Sequence, residues 1–506
     1  MFIRKKLNKI GSVSIQVIDK SSGYKVVKTI GSAKDPKEIQ QLEIEAKNFI
    51  TGNQQKLFSF KTNEELAIED FLQTLSNSQI RTIGPELIFG ALFDRIGFNI
   101  VPEELFRHIV IARLAYPTSK LKTVDYLYRY QHIQTDSDEV YRFLDRLNEK
   151  YKTLAEKIAY EYTAKTLGKI SVVFYDMTTL YFESEDEDDL RKIGFSKDGK
   201  FQNPQIMLGL LVGQNGYPIG YDIFEGNTFE GHTLIPILKS IQAKYGFVKP
   251  IVIADAGLLS KDNIEKLKEE KYEFIIGARI KNESDLIKKE ILEKAIGITD
   301  GENFSLEKSD QTKLVISFSD KRKRKDEHNR KKGIKKLNQK IRFGHLTKAS
   351  INNRGYNKFL SLTGEIEVVM NEKKILEDEK WDGLKGYITN TMLKPKEVIE
   401  NYRHLWQIEK AFRISKTDLK IRPIYHYRKK RIESHICIAF VAYTIWKELE
   451  RLLEKHRAGF SPKRASELTH NMYEMEYMLP NSDKPERVVL RMDAEQELLY
   501  KVIQDI

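Results

Sequence analysis

Two aspartates stand out by position. Asp176 follows VVFY in VVFYDMTTLYFES (Val172–Ser184), and Asp255 follows IVIA in PIVIADAG. Both sit at the ends of apolar, β-branched runs that read as buried strands. A lone ionised carboxylate in such a place is costly, because it loses its hydration. A single Asp there is ordinarily a cap or a turn former. Two in one sheet point further, since sites in open α/β sheets gather beyond strand ends. On neighbouring strands the two carboxylates would face and repel each other. A divalent cation relieves that repulsion, and oxygen-only donors suit Mg²⁺ or Mn²⁺. Ala256–Gly257 lets the backbone turn sharply and a substrate approach.

A third acid is expected from the segment KEVIENYRHLWQIEKAFRISKTDLK, read as one long helix from about Lys396. Tyr402, Glu409 and Lys416 recur every seventh residue. Seven residues are close to two turns, so the three share a face with about 20° of drift per step. Arg413 lies one turn beyond Glu409. The pattern fits an exposed i,i+4 ion-pair stripe. It also fits metal binding beside a phosphate backbone, since Leu405, Ile408 and Phe412 border the stripe and imply partial burial. The acid cluster ESEDEDD (Glu183–Asp189) reads as a solvated loop.

The elements that must position these residues follow from the hydrophobic pattern. SVSIQVID and YKVVKTIG read as strands around the turn SSG, followed by a helix from about Ile39. Residues 84–165 carry apolar positions at three- and four-residue spacing, a helical cluster that could bind DNA or be purely structural. From residue 169 three strands, a helix, a strand, a helix and a strand succeed one another, with Asn215–Gly216 as a hairpin turn and Ser260 as an N-cap. That is an α/β order. After Ile280 the order breaks down until the strand KGYITNT (Lys385–Thr391), and 429–506 is again helical.

The chain has 506 residues, a net charge of +12 and one cysteine, Cys437. That excludes an internal disulfide framework and a Cys-type zinc site. The N-terminus lacks a signal-peptide core, and the most apolar run, ICIAFVAYTIW, is too short to span a membrane. A soluble, intracellular protein is expected. Residues 321–342 hold twelve Lys and Arg against two acids, most of the surplus charge. Lys321, Arg322, Lys323 and Arg324 open this run. It is a solvated face or the footprint of a polyphosphate partner, and its density favours nucleic acid.

YDMTTLYFE, ADAGLLS and YRHLWQIEKAFRISKTDLK together resemble the three blocks of prokaryotic insertion-sequence transposases of the DDE type. The framing stretches GFSKDGKFQNPQIMLGLLV and GYPIGYDIFEGNTFEGHTL resemble the same family, so that about residues 165–450 are covered. The resemblance implies a ribonuclease-H-like mixed sheet with helices, a mainly β insertion before the catalytic helix, and flanking helical regions. The expected domains are a DNA-binding region at 1–165, a catalytic core at 166–284 and 385–428, an insertion at 285–384, and a helical region at 429–506. It implies Asp176, Asp255 and Glu409 as catalytic residues and ligands of two Mg²⁺ or Mn²⁺ ions, with Thr178 and Thr179 ordering the first carboxylate. Tyr402, Arg413 and Lys416 would contact DNA, and Trp381 would stack on an extruded base. The Tyr–x2–Arg–x3–Glu–x6–Lys signature departs at one position, where Leu405 replaces Arg. Arg403 lies about 160° away round a helix and does not substitute for it. The implied activity is cleavage and joining of DNA strands in cut-and-paste transposition, with terminal inverted repeats and target DNA as partners. A homodimer in the synaptic complex and a cytoplasmic, nucleoid-associated location in a prokaryote are expected with it. The rivals are an inactive or repurposed DNA-binding protein and a structure-specific nuclease on the same fold.

Overall fold

In the computed structural model, all residues are described except 22, 58–62, 198, 247, 259, 309–310, 344–345, 347–349, 353–354, 364–366, 480–483 and 505–506. Ser22 of the first turn is among these exceptions. The chain divides into two units, residues 1–80 with 475–488, and residues 81–474 with 489–506.

In the smaller unit, β1 (Phe2–Leu7), β2 (Val13–Asp19) and β3 (Lys25–Ala33) form an antiparallel sheet with β2 in the middle. Ile15 and Val17 alternate along β2 onto one face. They pack with Ala46 of the helix Pro36–Leu57.

The larger unit is built on one sheet of eight strands. They are β4 (Val172–Tyr181), β5 (Gln205–Val212), β6 (Pro218–Glu225), β7 (Ile251–Ala254), β8 (Phe274–Ala278), β9 (Asn303–Glu307), β10 (Lys313–Phe318) and, after a hairpin of β11 (Leu360–Thr363) and β12 (Glu367–Met370), β13 (Leu384–Thr389). Their order is β9-β10-β13-β8-β7-β4-β5-β6. Only β4–β7 and β7–β8 are parallel; every other pair is antiparallel. A three-strand meander joined to two parallel strands by helical crossovers is the ribonuclease-H-like arrangement expected from the sequence. Here three antiparallel strands extend it.

The two faces of β4 enter different cores. Val172, Phe174 and Leu180 lie in one apolar cluster; Val173, Tyr175 and Met177 lie in the other. The second is closed by the crossover helices Leu234–Tyr245 and Lys261–Glu269. The first is closed by the 27-residue helix Lys429–Lys455, which is buried along most of its length. This explains the apolar run ICIAFVAYTIW as core. None of the helices among the described residues is long and apolar enough to cross a membrane. The basic run is a single helix, Asp320–Arg342.

Candidate active site

β4 does not stop at Asp176. Its parallel ladder to β7 ends where Tyr175 meets Ala254, while its antiparallel ladder to β5 continues to Tyr181. The next residues on the two strands are Asp176 and Asp255, so the register sets them side by side just past the end of the parallel ladder. By alternation Asp176 points to the face of Val172 and Phe174. Asp176 is therefore strand on both sides, whereas Asp255 opens a turn whose Gly257 N–H donates to its Oδ1 at 2.8 Å.

The expected continuous helix is interrupted. Pro395 opens the first piece, Pro395–Arg403, with Glu397 accepting from the Lys394 N–H at 2.8 Å. The second piece runs Trp406–Arg413 and passes into a π-turn over Ile414–Asp418. Between them the N–H groups of Leu405, Gln407 and Ile408 bond three residues back, which tightens the turn. Leu405, at the signature Arg position, is buried in the first core. With the helix broken and then widened, the even seven-residue face over 402–416 is lost. The first piece lies across β7, β8, β13, β10 and β9, the second across β4 and β5. Both lie on the Asp176 face, since Tyr402, Ile408 and Phe412 share a core with Phe174.

Tyr402 reaches the Asp255 turn. A Cβ on Gly277 would lie 2.5 Å from its hydroxyl oxygen and 3.1 Å from the Ala256 nitrogen, so the missing side chain at Gly277 makes room for the phenol. Burial, then the charges of Asp255 and, more weakly, Glu409, push the Tyr402 phenol up. Lys385 Nζ sits 4.4 Å from the centre of that ring. Glu409 and Arg413 are exposed, and Lys416 is half-buried in the π-turn.

Two residues at the site carried no signal in the sequence. Lys197 Nζ lies 3.7 Å from Asp176 Oδ1, donates to the Met177 carbonyl at 2.7 Å, and pairs with Glu230 at 2.5 Å. Glu230 also stands near Gly257, whose Cβ position is 3.4 Å from its Oε2. Burial raises the Asp176 carboxyl to about 6; Lys197 and the Met177 N–H oppose this, and Asp255 and Glu230 add to it. Lys197 lies in a turn and Glu230 opens a one-turn 3-10 helix, Glu230–His232, both too short for spacing to reveal a partner. Thr178 and Thr179, expected to order Asp176, are both buried, and the Thr179 hydroxyl has no partner among the described residues. Met177 N–H, at 2.7 Å from Oδ1, takes that part.

A pocket of about 540 Å³ adjoins the site and brings Arg322, Trp381 and Tyr402 together with Lys385 and Ala256. Lys321, Lys323 and Arg324 are exposed on the same basic helix. The cluster Glu183–Asp189 is largely exposed, with Asp188 pairing to Arg191 at 2.7 Å.

The donor chemistry of Asp176 and Asp255, with Glu230 close by, is all carboxylate oxygen and suits a hard divalent cation. Burial chiefly raises Asp176, and the charges of Asp255 and Glu230 that add to it are what such an ion would neutralise. Among the described residues no three His, Cys, Asp or Glu side chains are yet gathered at metal-binding reach. Lys197 supplies the positive charge between the carboxylates.

The family model of the transposase DDE domain matches residues 167–445. Among solved structures, a piggyBac transposase synaptic complex with hairpin DNA is similar at 10% identity, with 76% of each chain covered and a TM-score of 0.38. The Mos1 transposase paired-end complex with left transposon end is similar at 15% identity over 31% of this chain and 53% of that one, with a TM-score of 0.16. No curated protein matches.

Proposed function

The chain belongs to the transposase DDE-domain family and is a DNA transposase, an enzyme of strand cleavage and strand transfer; from this premise we propose that it binds the ends of an insertion sequence and moves them by cut-and-paste transposition, with Asp176, Asp255 and Glu409 as its catalytic residues. The observation that carries the assignment is the register of β4 and β7, which sets Asp176 beside Asp255. Glu409 is supported by its helix, which crosses β4 on the Asp176 face.

Asp176, Asp255 and Glu409 would hold divalent metal, two Mg²⁺ or Mn²⁺ ions. Bound there, the metal supplies an activated water or 3′-hydroxyl and neutralises charge on the phosphate. The protein's own part is positioning and electrostatics. Asp176 is fixed by the strand and the Met177 N–H. Lys197 offsets the mutual repulsion of Asp176 and Glu230, a charge that bound metal would also neutralise. The buried Tyr402 phenol, beside the Asp255 turn, sets the strand backbone, with Arg413 and Lys416 taking phosphates further along. Arg322, with Lys321, Lys323 and Arg324, extends the track on the basic helix, and Trp381 offers a ring for an unstacked base.

The partners are the terminal repeats and target DNA, with a homodimer holding two ends. The 1–165 region is assigned to end binding, and the location is the cytoplasm of a prokaryote, at the nucleoid when DNA is bound. Asp176→Asn, Asp255→Asn and Glu409→Gln should each abolish Mg²⁺-dependent strand cleavage while end binding persists in a gel-shift assay. Cleavage surviving in any of the three removes that residue from the set. Cleavage without joining in a strand-transfer assay would make the chain a nuclease.

A further inference from the structure

A second pocket, also of about 540 Å³, opens between the N-terminus of the helix Lys120–Gln131 and the segment 420–435. Arg113, Lys120, Lys122, Lys420 and Arg422 line it, and so do His426 and His435. Among the described residues no carboxylate does.

Several of these groups are buried. Lys120 is 6% exposed, and its Nζ has no hydrogen-bond partner among the described residues. Arg113 is 5% exposed and, among the described residues, donates to the carbonyls of Leu419 and Lys420, at 3.4 and 3.3 Å. His435 Nε2 meets the Ile421 carbonyl at 2.8 Å, so that nitrogen carries the proton. Its Nδ1 is buried without a partner. Uncompensated buried cations are strongly unfavourable, and proteins keep them where a counter-charge arrives. The helix start adds to the field. Ser119 caps it by accepting from the Lys122 N–H, and first-turn N–H groups, which no helix carbonyl reaches, favour an anion.

We propose that this pocket binds a phosphate group, held by Lys120 and Arg113, the first turn of the Lys120–Gln131 helix, and His435, whose bare Nδ1 takes up a second proton as the anion enters. Burial, then mutual repulsion with the neighbouring cations, depresses Lys120, His426 and His435, as expected of a cluster missing its anion. The phosphate comes from a DNA strand or is free in solution. The first source rests on the transposase reading; the second does not.

The test uses the full chain. Wild type, Lys120→Met and His435→Gln are melted in inorganic phosphate and in chloride of equal ionic strength, and each is titrated with a short DNA duplex. Lys120→Met removes a buried unpaired charge; His435→Gln keeps the donor to Ile421 and loses the second ring nitrogen. A phosphate-specific rise in the wild-type melting temperature that both variants lose, with DNA affinity unchanged, identifies free phosphate. A drop of about tenfold in DNA affinity, the loss of one charge-assisted contact, identifies the strand backbone. If Lys120→Met does not fold, His435→Gln decides alone. The proposal is overturned if neither response depends on these residues. Failure of wild type to bind DNA would count against the transposase reading, and the phosphate arm would still decide the pocket.

Discussion

Asp176 is a carboxylate whose protonated form the fold favours. Its folded value of about 6 stands above the ordinary 3.8, chiefly through burial. A raised folded value means that the native state binds the proton more tightly than the unfolded chain. The resulting stability is full below about pH 4 and lost as pH rises through about 6. In chelator, the wild-type melting temperature should therefore fall across that window, and Asp176→Asn should lack that fall and be at least as stable at pH 7. Equal pH slopes for the two proteins would refute this. Lys197 is the residue that keeps the ionised form tolerable. Replacing it by Met should raise the pH at which Mn²⁺ binds, read by paramagnetic relaxation, without removing a metal ligand. At this scale the sequence was legible where an acid interrupts an apolar run, as at Asp176 and Asp255. Lys197 and Glu230 were not legible, because long-range placement decides them.

Among the elements, the fit between β8 and the helix Pro395–Arg403 matters most. Gly277 gives the Tyr402 hydroxyl its place. Gly277→Ala should shift Tyr402 away from the Asp255 turn, cost about 1–3 kcal/mol in denaturant unfolding, and lower cleavage. Tyr402→Phe removes the clashing oxygen, so the double variant should recover most of the lost stability. Strictly additive effects would show that the two residues do not meet. The strands and crossover helices of residues 169–278 could be read locally, since Val/Ile-rich runs, an Asn-Gly turn and a Ser cap all act over a few residues. The break at His404–Leu405 could not. The segment contains no Pro or Gly there, and burial of Leu405 together with three-residue-back hydrogen bonds takes the place of a local signal. The end of the parallel ladder was equally hidden, because pairing of β4 with β7 spans distant sequence.

For the molecule as a whole, charge is concentrated rather than spread. Twelve Lys and Arg fall within residues 321–342, on one helix. If phosphates lie along it, Lys321→Glu with Arg324→Glu should weaken DNA binding alike for all sequences. The slope of log affinity against log salt should drop by roughly 2. An unchanged slope would take these two residues out of the interface. One cation of that helix faces inward: Arg330 is 6% exposed and bonds Asp382 at 2.6 Å and Glu379 at 3.3 Å, on either side of Trp381. The basic helix is thereby pinned to the segment that carries Trp381, with Arg330 as the pin, so a displacement of one would be felt by the other.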